Sequence, residues 1–169
     1  AGVAVPHLAF EPGRIISGPA GVTLYSVGVT KPVKVHDDDG SEATRLYVSV
    51  DGGMSDNART ALYKATYSAR IASRESPSEP ALVRVVGKHC ESGDIVVQAE
   101  YLPGDVAPGD IVAVPATGAY CYSLSSNYNA LGRPPMVAVH EGGHHLMVAG
   151  ETVDDVLARD RGVSRQPGS

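Results

Sequence analysis

The chain has 169 residues, of which 43% are hydrophobic and 20% are charged, and its formal net charge is −5 at pH 7. This composition is typical of a globular protein, and the length suffices to bury a core without disulfide bonds. The negative charge argues against binding to nucleic-acid phosphates. No apolar run approaches the roughly 18 residues that a membrane-spanning helix needs, so neither nucleic acid nor membrane is an expected partner.

Glycine and proline separate short β-branched runs along the whole chain, and this pattern predicts an all-β domain. Ala1–Phe10 has the apolar character of a buried strand whose beginning is missing. This pattern favours the interpretation that the chain is the C-terminal part of a longer protein. Val, Ile, Leu and Tyr fill the other predicted strands, as suits a half-buried pleated sheet. These strands are Val22–Val29, Leu46–Asp51, Leu82–Gly87, Ile95–Glu100, Ile111–Pro115, Met136–His140 and His144–Ala149.

Two polar segments, Lys34–Thr44 and Ser73–Pro80, are predicted to be exposed loops between strands. The first contains Asp37–Gly40, which has the acidic character of a calcium-binding loop. An EF-hand with its glycine at position 40 would need an oxygen ligand at Val35 and a glutamate at Leu46, and neither is present. A solvated acidic loop is therefore the favoured interpretation.

The glycine-rich segment Glu141–Gly143 separates the last two predicted strands, which indicates a hairpin with a three-residue turn. Three histidines, His140, His144 and His145, flank this turn. Neighbouring residues of a strand point to opposite faces of the sheet, so these histidines are not expected to share a metal ion. No metal site is predicted in the chain.

Helical signals are few. Thr152 and Asp155 have the spacing of a capping box, which predicts a short helix through about Arg159. Ala58–Ala69 has mixed character, because its alanine, leucine and lysine favour a helix whereas its tyrosines favour a strand. Arg161–Ser169 is rich in glycine, serine, glutamine and proline and is predicted to be a flexible tail.

Two segments combine residues that could bind a charged ligand. Glu11–Arg14 contains a glycine that permits close approach to the backbone and an arginine that could pair with a phosphate or a carboxylate. After the turn at Asp51–Asn57, Arg59 and Tyr63 stand four residues apart and would share one face of a helical turn, where one could hold an anion. The alternatives are a surface turn with a local ion pair and an ordinary exposed arginine.

The segment Cys90–Asp94 lies between two predicted strands and concentrates reactive groups. A thiol close to the cations of Lys88 and His89 could have a lowered pKa and act as an acid or a nucleophile. Either Glu91 or Asp94 could bind an ammonium group. The alternative for the cysteine is a small buried apolar residue in a tight turn.

A third polar cluster surrounds Tyr120, whose hydroxyl and ring suit a phosphate or a stacked ligand. The alternative is a tyrosine packed at the end of a strand. We expect the polar clusters at the ends of three separate strands to converge. A disulfide between Cys90 and Cys121 cannot be read from spacing, and the cytosol-like composition argues against it.

Five segments occur together in one order, and the ordered set is far more specific than any single segment. They resemble the C-terminal part of the diaminopimelate decarboxylase family, in the alanine racemase and ornithine decarboxylase class of pyridoxal-phosphate enzymes. The resemblance runs from Ala1 to about Asp160, and the Cys90–Asp94 motif resembles the diaminopimelate enzymes rather than the ornithine or arginine decarboxylases. The segments are Glu11–Arg14, Asp51–Met54, Ala61–Tyr63, Cys90–Asp94 and Gly118–Tyr120.

The resemblance implies a homodimeric, cytoplasmic enzyme, actinobacterial in character, that converts meso-2,6-diaminopimelate to L-lysine and carbon dioxide. Residues 1–14 would be the last segment of an N-terminal β/α barrel, residues 15–160 a C-terminal β-sandwich or distorted β-barrel, and residues 161–169 a flexible tail. The cofactor, pyridoxal 5′-phosphate, would form a Schiff base with a lysine of the barrel. The implied partners are that barrel, the second subunit and the small amino-acid substrate.

The site residues of the family carry over onto matching positions of this chain. Cys90 would be the acid that returns a proton to the α-carbon after carbon dioxide leaves, and it would act across the dimer interface. The far end of diaminopimelate requires a cation for its carboxylate and an anion for its ammonium group, and Arg59 and Glu91 have those charges. Contacts to the cofactor, mainly to its phosphate, would come from Glu11, Pro12, Gly13, Arg14 and Tyr120. Contacts to the substrate would come from Arg14, Arg59, Tyr63, Glu91 and Tyr120.

One departure from the family is large, because no lysine of this chain matches the Schiff-base position. The 169-residue chain alone is therefore predicted to be inactive. The alternative function is a stand-alone β-sandwich module that binds a partner without catalysis, although it would not account for the ordered motifs. A cysteine hydrolase that uses Cys90 and His89 is disfavoured, because neighbours on a strand point apart and no third orienting group is evident. The lysines are Lys31, Lys34, Lys64 and Lys88.

Overall fold

The computed structural model describes Gly2, residues 5–36, residues 40–160 and Gly162. Strands make up most of the regular structure in this part of the chain, and the helices are short. The strands are β1 (Val22–His36), β2 (Glu42–Val50), β3 (Arg70–Ile71), β4 (Pro80–Val86), β5 (Ile95–Pro103), β6 (Ile111–Pro115), β7 (Met136–His140) and β8 (Gly143–Val148). The helices are α1 (Arg14–Ser17), α2 (Arg59–Tyr63) and α3 (Val153–Leu157), with 3₁₀ turns at Gly18–Ala20, Tyr122–Leu124 and Tyr128–Ala130.

Six strands form one sheet in the order β3-β6-β1-β2-β4-β5, and β7 and β8 form a separate hairpin. The pair β2 and β4 is parallel, and the other pairs of the large sheet are antiparallel. Strand β1 is long enough to serve two neighbours. Its first half pairs with β6, and its second half pairs mainly with β2 after a register shift between Val27 and Thr30. Such a shift bends the strand and lets the sheet curl.

The two edges of the large sheet approach each other, so that the sheet is nearly closed into a barrel. The backbone N–H of Ala69, which precedes β3, donates a hydrogen bond of 3.3 Å to the carboxylate of Glu100 in β5. These two strands are the outermost members of the sheet. The prediction of an all-β fold that includes a distorted barrel is confirmed.

Alternate residues of the central strands point into the barrel and form its core. Val83 and Val85 of β4 are fully buried, as are Val112 and Val114 of β6. Burial of each such side chain contributes about 1.5–3 kcal/mol relative to exposure. The core is therefore built mainly from valine, and the polar residues of interest lie in the loops at the ends of the strands.

The seven predicted strands are confirmed, but the prediction that Lys34–Thr44 is entirely a loop is wrong. Strand β1 continues to His36 and β2 begins at Glu42, which pair with each other. Cross-strand pairing extends the ladder, and Lys34 Nζ lies 2.9 Å from a carboxylate oxygen of Glu42. Asp37–Asp39 lie outside the described residues. Strand β3 is not predicted from the sequence, because its two residues are too few to show a periodicity.

The hairpin of β7 and β8 is confirmed, but its turn has two residues rather than three. His140 pairs directly with Gly143, which begins β8. The turn residues Glu141 and Gly142 have φ values of 47° and 77°. Two consecutive left-handed residues are typical of a type I′ turn, whose twist matches that of the strands.

The capping box at the last helix is confirmed. The hydroxyl of Thr152 accepts a hydrogen bond of 3.2 Å from the backbone N–H of Asp155, whose carboxylate accepts one of 2.8 Å from the backbone N–H of Thr152. Helix α3 ends at Leu157, slightly before the predicted end. In the mixed segment of residues 58–69, helix α2 ends at Tyr63 because Lys64 adopts a left-handed conformation with φ 52°.

The buried strand predicted within Ala1–Phe10 is wrong for the residues that the structure describes there. Gly2 and residues 5–10 have no regular secondary structure, and Phe10 is 82% exposed, because no described strand pairs with this segment. Of the predicted tail, only Gly162 is among the described residues. Across the described ranges, no helix has both the length and the apolar character needed to cross a membrane.

Candidate functional site

A buried carboxylate, that of Asp94, joins the loop after β2 to the loop after β4. Asp94 Oδ1 accepts a hydrogen bond of 2.7 Å from the backbone N–H of Met54. Asp94 Oδ2 accepts one of 2.7 Å from the backbone N–H of His89 and lies 2.8 Å from His89 Nδ1. Both oxygens are thus occupied inside the protein, and the expectation that Asp94 could bind an ammonium ligand is wrong.

The same histidine supports a tyrosine that contacts Glu91. The rings of His89 and Tyr128 are stacked, with 5.8 Å between their centroids and an angle of 18° between their planes. The hydroxyl of Tyr128 donates a hydrogen bond to the Glu91 carboxylate. This bond is the main reason that the pKa of Tyr128 lies above its ordinary value, with desolvation as a second cause. Tyr128 is not among the residues expected from the sequence, where its one local signal is an aromatic ring between Asn127 and Asn129.

Cys90 is exposed and Cys121 is buried, and both are free thiols. The buried-residue alternative for Cys90 is therefore wrong, whereas it describes Cys121 well. His89 hydrogen-bonds to Asp94 and not to Cys90 among the described contacts, so the structure provides no thiol–histidine pair for a hydrolase. The orienting group that sequence analysis did not find for His89 is Asp94.

Arg59 lies between two tyrosine rings at the mouth of a cleft. Its guanidinium carbon is 5.4 Å from the ring centroid of Tyr63, one helical turn away, and 5.5 Å from that of Tyr120. The expectation that Arg59 and Tyr63 share a face of a helix is confirmed. These three residues line a cleft of about 280 Å³ together with Ser123 and Leu124. Arg59 Nε is buried and has no hydrogen-bond partner among the described residues.

Tyr120 also approaches the segment at Glu11–Arg14. A β-carbon placed on Gly13 would stand 2.9 Å from the Tyr120 hydroxyl, so this close approach of the tyrosine requires glycine at position 13. Tyr120 itself has a left-handed φ of 61°, a conformation that is uncommon for a bulky residue. Strained conformations of this kind are concentrated at functional sites.

Arg14 points into the domain and is half-buried. Its Nη2 donates a hydrogen bond of 2.6 Å to the backbone carbonyl of Ala116, and its guanidinium carbon lies 5.5 Å from the ring centroid of Tyr67. Arg14 Nε is buried without a partner among the described residues. The alternative of a local ion pair with Glu11 finds no support among the described salt bridges.

A buried polar cluster connects α2 to the turn that carries Tyr120. Cys121 Sγ lies 3.5 Å from the hydroxyl of Tyr67 and 3.6 Å from Asn57 Oδ1. Burial is the main cause of the raised pKa of Tyr67, followed by its contact with Cys121. Asn57 in turn accepts a hydrogen bond of 3.3 Å from the backbone N–H of Arg59. The cluster therefore holds the backbone of Arg59 through Asn57, and that of Tyr120 through its chain neighbour Cys121.

The expected convergence of the three strand-end clusters holds only in part, because the Asp51–Asn57 turn and α2 contact each of the other two clusters, whereas those two line separate clefts. A second cleft, also of about 280 Å³, is lined by His89, Glu91 and Asp94 among others, and it shares no lining residue with the first. The segment of residues 122–130 borders both, because Ser123 lines the first cleft and Tyr128 contacts Glu91. No three His, Cys, Asp or Glu side chains of the described residues could together hold a metal ion.

Comparison with known proteins is consistent with these features. Residues 19–118 match the family described as the pyridoxal-dependent decarboxylase, C-terminal sheet domain. The chain is 58% identical over 157 residues to the diaminopimelate decarboxylase of Mycobacterium tuberculosis, a match that covers 93% of this chain and 34% of the relative. For the diaminopimelate decarboxylase of Mycobacterium leprae the identity is 57%, over 93% of this chain and 32% of the relative. The chain therefore spans about a third of the length of these curated relatives.

The fold is also similar to that of solved structures. The crystal structure of diaminopimelate decarboxylase from M. jannaschii in co-complex with L-lysine superposes with a TM-score of 0.78 at 34% sequence identity. This similarity covers 92% of this chain and 33% of the other. The family match covers more than half of the chain, and its residues 19–118 contain all six strands of the large sheet. The chain thus belongs to the family of C-terminal sheet domains of pyridoxal-dependent decarboxylases.

Proposed function

We propose that this chain is the C-terminal part of a decarboxylase that converts meso-2,6-diaminopimelate to L-lysine and carbon dioxide. The observation that carries the proposal is the guanidinium of Arg59, which lines the first cleft between two tyrosine rings and has no carboxylate partner among the described residues. A guanidinium that lines a cleft without an ion-pair partner suits an anionic ligand such as a substrate carboxylate. The choice of diaminopimelate is supported by the 58% identity to an enzyme of that name.

In this proposal residues 1–14 are the last segment of a β/α barrel, residues 15–160 form the β domain, and residues 161–169 are a tail. The boundary after Arg14 falls inside α1, so that helix would connect the two domains. Exposed apolar side chains near this point support a packed partner domain, because such patches mark interfaces. They are Val5, Leu8, Phe10, Ile15 and Ile16.

The residues around Gly13 fit the phosphate of pyridoxal 5′-phosphate. The absence of a side chain at Gly13 lets the Tyr120 hydroxyl lie close to the backbone there; this hydroxyl has no described hydrogen-bond partner and can donate to a phosphate oxygen. Glu11 and Pro12 would shape the approach of the backbone, and Arg14 would add positive charge. When bound, the cofactor supplies a sink for the electron pair that carbon dioxide leaves behind, and its Schiff-base lysine would belong to the barrel.

Substrate recognition would use charges at both ends of an extended diamino dicarboxylate. Arg59 would pair with the distal carboxylate while the Tyr63 hydroxyl adds a hydrogen bond, and Arg14 and Tyr120 would lie on the side of the cofactor. Glu91 would accept the distal ammonium group. A site that pairs such groups rejects analogues that lack them, because its own charges then stay unsatisfied.

The proton that replaces the lost carboxylate would come from Cys90. The bond between the α-carbon and the carboxylate breaks, carbon dioxide leaves, and a C–H bond forms at the same carbon with the proton of the thiol. The exposure of Cys90 and its free state support this role, because a proton donor must reach the substrate.

The division into two clefts supports a site completed by a second copy of the chain. Arg59 and Tyr120 line one cleft and Glu91 lines the other. In a dimer, Cys90 and Glu91 of one subunit would face the first cleft of its partner. The proposal is thus a homodimeric, cytoplasmic bacterial enzyme of lysine biosynthesis, and the single domain would be inactive.

The test uses the full-length enzyme, barrel included, purified with pyridoxal phosphate. Carbon dioxide release is followed with meso-diaminopimelate, ornithine and arginine, for the natural sequence, for Cys90→Ala and for Ser68→Ala. We expect release from diaminopimelate alone and a loss of at least about a hundredfold in kcat for Cys90→Ala, because proton transfer is a large catalytic contribution. Ser68 is exposed and outside both clefts, so its variant should retain full activity.

Other outcomes contradict distinct parts of the proposal. Release from ornithine or arginine would mean that Arg59 and Glu91 do not select a diamino dicarboxylate. Full activity in Cys90→Ala would exclude the thiol as proton donor. Absence of release from all three substrates would contradict the reaction itself.

A further inference from the structure

We propose that Tyr128 is a positioning residue that determines specificity, because it holds the Glu91 carboxylate in place for the distal ammonium group of the substrate. Tyr128 acts through Glu91 and does not itself touch the substrate. The inference rests on the proposed function, and it adds a residue to the recognition of one functional group. Its support comes from a continuous set of contacts that begins at Asp94 in the domain interior.

The first contact of this set, between Asp94 and His89, is rigid. The side chains of His89 and Asp94 are almost completely buried, and Asp94 accepts from the backbone of His89 as well as from its ring. A carboxylate can only accept, so Nδ1 carries the histidine proton and the plane of the ring is fixed. Asp94 is itself held by the backbone N–H of Met54, so the ring cannot shift without disturbing two loops.

Tyr128 lies flat against this fixed ring. In this stacked orientation, with 18° between the ring planes, the phenol hydroxyl reaches Glu91. The turn that carries the tyrosine is also constrained, because Asn129 and Ala130 both have a left-handed φ of 57°. Asn127 secures the turn by donating a hydrogen bond of 3.0 Å to the carbonyl of Leu131. Non-glycine residues in this conformation persist only where their surroundings hold them.

These contacts restrict the side chain of Glu91, which is exposed and would otherwise sample many rotamers. Tyr128 engages one oxygen, Oε1, and no other hydrogen bond to this side chain is described. The second oxygen is therefore available to a ligand, while the hydrogen bond from Tyr128 restricts the rotation of the carboxylate. A pre-ordered group binds more tightly because less conformational entropy is lost on binding. The phenol hydroxyl is protonated at neutral pH, so it donates to the carboxylate.

The test compares Tyr128→Phe with the natural sequence in the full-length enzyme. Phenylalanine retains the stacked ring and removes only the hydroxyl. We expect KM for meso-diaminopimelate to rise about tenfold while kcat changes less than about twofold, because a hydrogen bond to a charged group is lost from ground-state binding. The matched control is Tyr101→Phe, which removes an exposed hydroxyl on β5 and should leave both constants unchanged.

A second ligand separates positioning from a general structural effect. The inhibition constant of 2-aminopimelate, which lacks the distal ammonium group, should be the same for Tyr128→Phe and the natural sequence. In a Glu91→Gln background, Tyr128→Phe should add less than about twofold to KM, because the two residues act as one unit. Equal losses for both ligands, an unchanged KM for diaminopimelate, or full additivity with Glu91→Gln would each overturn the inference.

A spectroscopic measurement on the full-length enzyme without substrate distinguishes failure of this inference from failure of the proposed reaction. The titration of the Tyr128 phenol is followed by NMR of a tyrosine Cζ label, in the natural sequence and in Glu91→Gln. The pKa of Tyr128 should fall towards its ordinary value in the variant, because its charged acceptor is gone. An unchanged titration would show that Tyr128 does not hold Glu91, whatever the substrate of the enzyme is.

Discussion

The hydroxyl of Tyr120 lies 2.9 Å from the point where a β-carbon would stand on Gly13. Real β-carbons essentially never come this close to another heavy atom, so alanine at position 13 must displace the tyrosine. Tyr120 resists displacement, because its ring also packs on the guanidinium of Arg59. One methyl group would thus disturb both the proposed phosphate contact and the proposed carboxylate contact.

We therefore expect Gly13→Ala to weaken the binding of pyridoxal phosphate by the full-length enzyme about tenfold, the equivalent of one lost hydrogen bond to a charged group. The dissociation constant is measured by absorbance titration of the cofactor-depleted enzyme. Gly28→Ala is the control, because a β-carbon there would make an ordinary contact of 3.4 Å with the Ser49 hydroxyl. Equal cofactor affinity in all three proteins would remove Gly13 and Tyr120 from the phosphate site.

The second prediction concerns the unpaired guanidinium of the first cleft. Replacement of Arg59 by glutamine removes its charge and its stacking on Tyr63, and we expect kcat/KM for meso-diaminopimelate to fall at least about a hundredfold. The loss should reside mainly in KM, since the distal carboxylate is remote from the bond that breaks. Steady-state kinetics of carbon dioxide release measure both constants.

Arg70→Gln provides the matched comparison for this variant. Arg70 lies on β3, is exposed, and lines neither cleft. Its variant should have unchanged kinetics. A loss in Arg70→Gln as large as that in Arg59→Gln would indicate a general effect of net charge rather than recognition of a carboxylate.

The third prediction concerns the carboxylate that joins the two loops. In Asp94→Asn one oxygen is replaced by an NH₂ group, which must face a backbone N–H donor in the buried space. We expect a loss of about 2–3 kcal/mol in the free energy of unfolding, because a buried donor is left without an acceptor. Denaturant unfolding followed by circular dichroism measures this change.

Asp51→Asn calibrates the size of that effect. Asp51 is exposed and accepts one hydrogen bond of 2.8 Å, from the backbone N–H of Ser26. Because water can replace this bond, the variant should lose less than about 1 kcal/mol. Similar losses in the two variants would contradict the view that Asp94 is the buried link between the loops.

Much of the fold could be predicted from the sequence because the relevant signals are local. The strand pattern follows from alternation and turn residues, and the face shared by Arg59 and Tyr63 follows from the geometry of one helical turn. The capping box at Thr152 is local as well. These predictions needed no knowledge of which strands are neighbours.

The contacts that join distant segments could not be predicted in this way. Glu91 and Tyr128 are 37 residues apart, and Met54 and Asp94 are 40 apart. No periodicity connects such pairs, and nothing in the sequence distinguishes the buried carboxylate of Asp94 from the exposed one of Glu91. The distinction depends on which loop packs above which, and that is a property of the closed sheet.

The last prediction concerns stability at acidic pH, and it depends on an ion pair that lies outside both clefts. Arg74 forms a two-pronged ion pair with Asp110, at 2.7 Å from Nε to Oδ1 and 2.9 Å from Nη2 to Oδ2. The backbone N–H of Ala107 also donates to Asp110, at 3.0 Å. The hydrogen bonds from Arg74 are the main reason that the pKa of Asp110 is lowered to about 2.

A carboxyl group whose pKa is lower in the folded state favours folding when it is ionised. The stabilisation by Asp110 is therefore complete above its ordinary pKa of 3.8 and is lost as the pH falls towards about 2. We expect the melting temperature of the natural protein to fall across this range, and Asp110→Asn to remove part of that dependence while lowering stability at pH 7. Thermal unfolding of both proteins between pH 7 and pH 2 measures the difference. Parallel pH profiles for the two would show that the ion pair with Arg74 contributes nothing to acid stability.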